Sequence, residues 1–383
     1  MKQQKANIYL GYSWDQATIE NRMTPILTFL NDHGYECSVI TPGIEKKILN
    51  LHFANFKFVN GGINRKENIF SRLFKEVMSA KKVTSYSKSK DIDLHLYTVP
   101  SFMLLIFGKL RPGYKILDIR DALWAYLKAG PFHFRLFSLF LIPYLKKRLL
   151  RFDLISCTNQ FEKKEIVKLI KDKVPVVILP NGISNKKFNL LKFKESENIT
   201  DKFEITYAGN IGYAQNLETF INAISFFPEV TGNIIGEGAD LERLKKYTLE
   251  KNIVNVNFYG RLPWEKLILI YKKSSFLYCQ LSSNYYSAIP SKLYEYLSTN
   301  KPVIFGGHGA AVKFLEKFEG VYVCKPDDHI SLRNIIKNII SQSYLNHSKK
   351  QLINRNIIEN EFIRESMTNK IYDDVLIKLK NSI

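Results

Sequence analysis

The sequence predicts an α/β protein built from two doubly wound parallel sheets, on three observations. Short apolar runs of strand length alternate with segments of helical period almost throughout, the pattern of parallel strands covered by helices. The alternation is interrupted once, by the polar, Lys- and Asn-rich stretch Ser184–Lys202, which divides it into two series of similar size. With 383 residues, 45% of them hydrophobic, the chain can build two ordinary cores, which excludes global disorder and a fibrous repeat.

In the first series the strand candidates are Ala6–Gly11, Glu36–Ile40, Asp93–Thr98, Lys115–Ile119, Leu154–Cys157 and Pro175–Leu179. Thr24–His33 has a helical period and stops at Gly34, a residue suited to closing a helix. In the second series the strands are Phe203–Ala208, Val230–Ile235, Val254–Tyr259, Ser275–Gln280, Pro302–Phe305 and Gly320–Val323, each followed by a turn and a helical pattern. The closing segment Ile357–Ile383 is also helical in pattern. Two such halves leave a cleft between the carboxyl ends of their strands, the usual ligand position in doubly wound sheets.

Formal charge is +20, and most of it lies in one half. Residues 1–190 hold 31 basic and 15 acidic side chains, residues 191–383 hold 25 and 21, and residues 1–50 are balanced at five each. A basic field of this kind calls for an anionic partner: a membrane surface, a phosphorylated lipid or a nucleic acid. Cys37, Cys157, Cys279 and Cys324 are far apart in apolar runs without CxxC spacing, which reads as reduced core thiols in a cytoplasmic protein. The N-terminus lacks the apolar core and cleavage site of a signal peptide, so export is not expected. Ser101–Gly108 and Leu136–Leu145 fall far short of the roughly 20 apolar residues of a spanning helix.

Two segments of the second half carry chemistry. In Ser287–Ile304 a loop enters a helix at about Pro290, placing Lys292 and Glu295 three apart on one helix face. Near a helix N-terminus that arrangement suits a phosphate on Lys292 and sugar hydroxyls on Glu295; a surface ion pair between the two is the plainer alternative. In Ile205–Ala223 a strand runs into a turn where Gly209 and Gly212 let the backbone approach a diphosphate, with a helix following. Further loops, Gly236-Glu237-Gly238 and Gly260-Arg261-Leu262-Pro263, fall at the ends of neighbouring strands.

At these residues the sequence resembles the GT-B glycosyltransferases of the family 4 type, in particular their bacterial surface-polysaccharide, lipopolysaccharide and capsule branch. The resemblance rests on YAGNIG-AQ-LE, IIGEGADLERLK, NVNFYGRLPWEKL, IPSKLYEYLSTNKPVI and VVILPNGIS–KKF (176–188), in matching order and spacing over most of residues 150–305. It implies two Rossmann-like domains facing a cleft: an acceptor domain over residues 1–185, a nucleotide-sugar domain over 186–360, and a helix over 361–383 returning to the first. It also implies transfer of a sugar from a UDP-linked donor with retention, without an obligatory metal or cofactor. Glu295 matches the second acid of the E-x7-E signature, which holds the ribose, and the first acid falls at Ser287. The loop cations of many relatives fall at Asn210 and Gln215, leaving Lys292 and Arg261 to meet the diphosphate. Gly209, Asn210, Gly212, Glu237, Arg261, Ser287, Lys292, Leu293 and Glu295 are thus the donor-binding candidates.

The first half is matched through Ile116–Trp124, which resembles a DIRD-x-W segment of the polysaccharide-type relatives. Arg120 and Asp121 there, with Lys292, are the catalytic candidates; a buried Arg120–Asp121 pair that only holds the loop is the alternative. Gly11-Tyr12-Ser13 is a thin counterpart of the family's Gly-rich turn. His95 reads as a strand residue, His308 as a loop residue, and Asp91-Ile-Asp93 as a strand edge and no metal site. Phe132–Leu150 with Arg135, Lys146, Lys147 and Arg148, and Ile69–Lys82 with Arg72 and Lys75, join apolar faces to cations. That combination suits an anionic headgroup layer at the inner face of the cytoplasmic membrane, or a lipid-linked or saccharide acceptor. The alternative makes the apolar faces core. No nucleic-acid module is present in the pattern, so nucleic acid is not the expected partner. A sugar-nucleotide epimerase and a catalytically silent nucleotide-sugar-binding subunit are the rival functions, with a nucleic-acid-binding protein as the third.

Overall fold

The structure, a computed structural model, describes residues 3–14, 16–44, 51–60, 69–86, 91–99, 102–122, 124–125, 127, 132–193, 203–341 and 351–380. The chain divides into two compact units: residues 1–181 with 364–383, and residues 182–363. The boundaries anticipated at 185/186 and 360/361 thus fall at 181/182 and 363/364. The Ser184 hydroxyl caps a helix, so the polar stretch that begins there starts inside the second unit.

The first unit contains β1 (Gln4–Leu10), α1 (Ala17–Asp32), β2 (Tyr35–Pro42), β3 (Asn55–Val59), α2 (Ile69–Ser85), β4 (Leu94–Val99), α3 (Phe102–Phe107), β5 (Tyr114–Ile119), α4 (Phe132–Leu149), β6 (Leu154–Cys157), α5 (Gln160–Ile170) and β7 (Val176–Ile178). Its strands are all parallel, in the order β3-β2-β1-β4-β5-β6-β7, with Ile8 opposite Val39 on one side and Leu96 on the other. Both faces are covered, so neighbouring residues enter opposite cores: Ile8, Leu10 and Ile116 one, Tyr9, Leu117 and Ile119 the other. β3 had no strand signal because it is an edge strand whose residues are exposed or half-buried, without the apolar run of its neighbours.

The second unit contains α6 (Asn185–Leu190), β8 (Phe203–Ala208), α7 (Glu218–Ile224), β9 (Val230–Ile235), α8 (Leu241–Glu250), β10 (Val256–Phe258), α9 (Trp264–Lys273), β11 (Phe276–Gln280), α10 (Ser291–Leu297), β12 (Val303–Gly306), α11 (Ala310–Leu315), β13 (Val321–Cys324), α12 (His329–Ser341) and α13 (Gln351–Glu361). Its parallel sheet runs β10-β9-β8-β11-β12-β13. The closing helix α14 (Arg364–Lys380) is part of the first unit, where Tyr372, Val375 and Leu376 join the core under α1 and Arg364 Nε donates to the Asn181 carbonyl at 2.5 Å.

The four cysteines are free and buried, and burial pushes the Cys37 and Cys324 thiols up to about 12 and Cys279 to about 11, so none is poised to react. Among the described residues no helix is long and apolar enough to cross a membrane.

His95 on β4 is a core residue with both ring nitrogens engaged: Nε2 lies 2.8 Å from the Pro112 carbonyl and Nδ1 3.1 Å from the Tyr9 hydroxyl. Burial lowers its pKa to about 4, so the folded state binds fewer protons than the unfolded one between about pH 4 and 6.5. Its stabilising effect is therefore present above pH 6.5 and lost as pH falls towards 4. The stability gap between the wild type and His95→Phe, from denaturant titrations, should shrink by roughly 3 kcal/mol from pH 7 to pH 4. A gap independent of pH would contradict the neutral, buried histidine.

Candidate functional site

In the second unit the strand order reverses between β8 and β11, so the loops leaving these strands share one crevice at the carboxyl edge of the sheet. Lys292, in the first turn of α10, reaches into the loop after β8. Its Nζ donates to the Tyr207 hydroxyl at 2.5 Å and lies 3.9 Å from the centre of the Tyr207 ring. The same hydroxyl donates to the Asn210 carbonyl at 2.5 Å. Burial holds the Lys292 ammonium below the usual lysine range, against the opposing pull of Cys279 and Glu295. Among the described residues no carboxylate forms an ion pair with it.

The glycines act through space and not through their amides. A side chain at Gly209, whose φ is +153°, would overlap Lys292 Nζ and come within 2.8 Å of its Cε. Gly236, with φ +137°, lets the loop after β9 lie against the Gly209 carbonyl, which a Cβ would overlap. Of the Gly209–Gly212 backbone, expected to face a diphosphate, three amides are bonded within the protein. Gly209 N donates to the Ile235 carbonyl at 2.9 Å, Ile211 N to the Glu237 carbonyl at 2.8 Å, and Gly212 N to Gln215 Oε1 at 3.2 Å. Those three donors are spent. α7 and α10 are only seven residues each.

The Lys292–Glu295 ion pair is not what forms. Glu295 Oε1 accepts instead from Lys187 Nζ of α6 at 3.0 Å, and that ammonium stands 4.4 Å from the centre of the Trp264 ring. Tyr296 fastens α10 to β8: its hydroxyl accepts from Ala208 N at 2.8 Å and lies 3.2 Å from the Ala208 carbonyl. Asn210 Nδ2 donates to Gln215 Oε1 at 3.1 Å, so these two residues of the loop after β8 bond each other. Leu293 and Ser287 are completely buried, Leu293 as core. Glu237 and Arg261 are exposed, at the ends of β9 and β10.

The loops around the crevice are pinned together. Asp327 accepts from Asn216 Nδ2 at 2.7 Å and from Ser283 N at 3.0 Å, joining the turns after β8, β11 and β13. His308 Nε2 lies 2.8 Å from the Ser283 carbonyl. Lys187, Tyr207, Trp264 and Asp327 were not singled out from the sequence. The first three stand inside segments that carried the resemblance, but nothing in the spacing says that they meet.

In the first unit, Arg120 and Asp121 follow β5. Arg120 Nε and Nη1, Asp121 Oδ1 and Trp124 Nε1 are buried without hydrogen-bond partners. The Arg120–Asp121 pair that would merely hold the loop is thus not made through those atoms. The arginine that does take an aspartate is Arg22, whose Nη2 and Nε reach Asp118 at 2.6 and 3.2 Å while Nη1 donates to the carbonyls of Leu179 and Pro180. Burial pushes Asp121 up to about 6 and Glu162 up to about 7, and burial with the nearby Arg22 lowers Arg120 to about 10. A buried cation and a buried acid whose pKa is raised, each with side-chain atoms lacking hydrogen-bond partners, are suited to sugar hydroxyls or phosphate. In the thin counterpart of the Gly-rich turn, Tyr12 reaches Glu76 Oε1 at 3.5 Å.

On α4 one face is core, through Leu141, Leu145 and Leu149, while Phe132, Leu136, Leu139, Phe140 and Tyr144 form an exposed stripe at helical spacing, Phe140 at 77%. The reading that made these apolar residues core holds for one face alone. Arg135 and Lys147 are exposed and Lys146 is half-buried. Arg148 is a correction: it is buried, and its guanidinium closes the end of α3 by donating to the carbonyls of Leu105 at 2.9 Å and Gly108 at 2.5 Å. Leu73, Phe74, Met78 and Lys75 of α2 are exposed; the Arg72 side chain lies outside the described residues. Asp93 accepts from Lys5 N at 2.8 Å, as a strand edge would, and among the described residues no three of His, Cys, Asp or Glu group to hold a metal ion.

Residues 190–357 match the family described as Glycosyl transferases group 1, which spans nearly all of the second unit. A probable glycosyltransferase of Pseudomonas aeruginosa, WbjE, is 24% identical over 331 residues, covering 79% of this chain and 77% of that one. The chain is a glycosyltransferase. Solved structures place its fold in the GT-B class. Sucrose-phosphate synthase from Thermosynechococcus elongatus superposes with a TM-score of 0.75 at 16% identity over the whole of both chains. HepE of Anabaena, solved in complex with UDP-glucose, gives 0.70 at 14% over 97% of this enzyme and 99% of that one. WaaG, a glycosyltransferase involved in lipopolysaccharide biosynthesis, gives 0.69 at 13% over 96% and 98%.

Gly209→Ala and Lys292→Met should each weaken UDP binding by about tenfold or more, the first by displacing the lysine and the second by removing its charge. Calorimetry on variants with native circular dichroism checks this. Unchanged affinity in both would remove Lys292 from the site.

Proposed function

We propose that the enzyme transfers a sugar from a UDP-linked donor to a lipid-linked or saccharide acceptor in bacterial surface-polysaccharide synthesis, with retention and without a metal or cofactor, as a member of the family 4 type. The observation that carries this is the Lys292 ammonium, part-buried at the β8/β11 crevice against a tyrosine and, among the described residues, in no ion pair with a carboxylate. Such a cation is under-compensated, and a diphosphate supplies what it lacks. As the bond to the sugar breaks, negative charge grows on the departing diphosphate, and Lys292, already in place, stabilises it without reorganising, with Arg261 as the second cation. Glu295 takes the ribose. Arg120 and Asp121 take the transferred sugar or the acceptor, Asp121 being able to donate or accept a proton near neutral pH.

The exposed stripe on α4 and the exposed apolar residues of α2, beside Arg135, Lys147, Lys75, Lys81 and Lys82, support docking on an anionic membrane, where a lipid-linked acceptor would be found. The complex of HepE with UDP-glucose and the involvement of WaaG in lipopolysaccharide biosynthesis support the donor and the pathway.

The test is a transfer assay with a panel of UDP-sugars, EDTA throughout, and a polyprenyl-diphosphate saccharide in vesicles containing anionic lipid. The expected result is one donor consumed only with acceptor, with the new glycosidic bond keeping the donor's anomeric configuration. Release of an isomerised free nucleotide sugar would make the protein an epimerase instead. UDP binding without turnover on any acceptor would make it a silent binding subunit.

A further inference from the structure

A carboxylate that takes a ribose does so better when kept in one orientation, and the Glu295 carboxylate is tied from outside its own helix. Lys187 Nζ lies 3.0 Å from Glu295 Oε1, with the two side chains 29% and 19% exposed. The ammonium is also 4.4 Å from the centre of the Trp264 ring, whose π face offsets part of its desolvation. Only Oε1 is engaged by Lys187, so Oε2 keeps its accepting capacity.

The two helices that bring the pair together are themselves bridged. Arg355 of α13 donates through Nη1 to the Ser298 carbonyl, just past the end of α10, at 2.7 Å. Through Nη2 it donates to the Phe188 carbonyl, next to Lys187, at 2.9 Å, and its guanidinium stacks 3.7 Å over the Phe188 ring. Ser184 Oγ accepts from Lys187 N at 3.4 Å and fixes the start of α6. A surface ion pair has no such frame on both sides.

We propose that Lys187 is a positioning residue for donor binding: it holds Glu295 with one carboxylate oxygen tied and the other presented to a ribose hydroxyl, while Trp264 holds the lysine. The inference rests on the reading of Glu295 as the ribose partner. Its effect is to make the site selective for a ribonucleotide, because a carboxylate free to rotate loses part of its affinity to ordering on each binding event.

The experiment compares UDP with 2′,3′-dideoxy-UDP by calorimetry on the full chain, in the wild type and in Glu295→Ala, Lys187→Met and Lys187→Arg, with melting curves to confirm folding. The wild type should prefer UDP, and Glu295→Ala should abolish the preference. Lys187→Met should lower UDP affinity by about three- to tenfold and leave the dideoxy analogue nearly unchanged, because only the hydroxyl contact depends on the carboxylate's orientation. Lys187→Arg should restore most of the preference.

No preference in the wild type, a preference that survives Glu295→Ala, or no UDP binding at all would overturn the ribose assignment and this inference with it. A preference lost in Glu295→Ala but kept in full by Lys187→Met would leave the ribose assignment standing and overturn the positioning role alone. Loss of affinity for both nucleotides by equal factors in Lys187→Met would also overturn it, because a merely structural lysine behaves that way. If Lys187→Met does not fold, Lys187→Gln carries the same comparison.

Discussion

The site depends on one cation kept short of partners. Lys292 is drawn out of water onto the face and hydroxyl of Tyr207, and burial disfavours its charge. A tyrosine compensates an ammonium only in part, whereas a carboxylate would neutralise it and leave nothing for a ligand. Glu295, three residues on, pulls on this ammonium from a distance but forms its ion pair with Lys187 instead. The two close-packed glycine loops complete the arrangement, since Gly209 is the place where the lysine passes. On the proposed reading a diphosphate would meet a cation already held in place by the fold, which is what pre-organised electrostatic stabilisation requires.

Much of the fold was legible because both sheets are parallel and covered on both faces, which turns each central strand into a short apolar run. Leu154–Cys157, Phe203–Ala208 and Val230–Ile235 are found with the expected ends, and the other expected strands within two residues at each end. β3 was not legible, since an edge strand with exposed side chains has no such run. Helix ends were less legible than strands: Thr24–His33 is the second half of a helix that starts at Ala17, with Pro25 inside it.

In the candidate site the residues are visible in the sequence and their partners are not. Lys292 and Glu295 stand out as a helical pair, but each turns to a residue far away in the chain, Tyr207 at 85 positions and Lys187 at 108. Spacing along a helix reports which side chains are neighbours on its surface and says nothing of what the next strand or helix offers them. The glycines illustrate the same limit. Their pattern suggested a backbone cradle, and only the hydrogen bonds show that their amides are occupied and that their absent side chains are the point. In the basic half, Arg148 looked like its neighbours Lys146 and Lys147 and proved to be a buried clamp, because every third or fourth residue of an amphipathic helix faces inward whatever its charge.

The measurement that tests the account most directly is a calorimetric titration of the full chain with UDP and with GDP, EDTA being present throughout. The account predicts saturable, one-to-one binding of UDP, and none of GDP at the same concentrations. Binding of neither nucleotide, or UDP binding that appears only when a divalent metal replaces the EDTA, would contradict it.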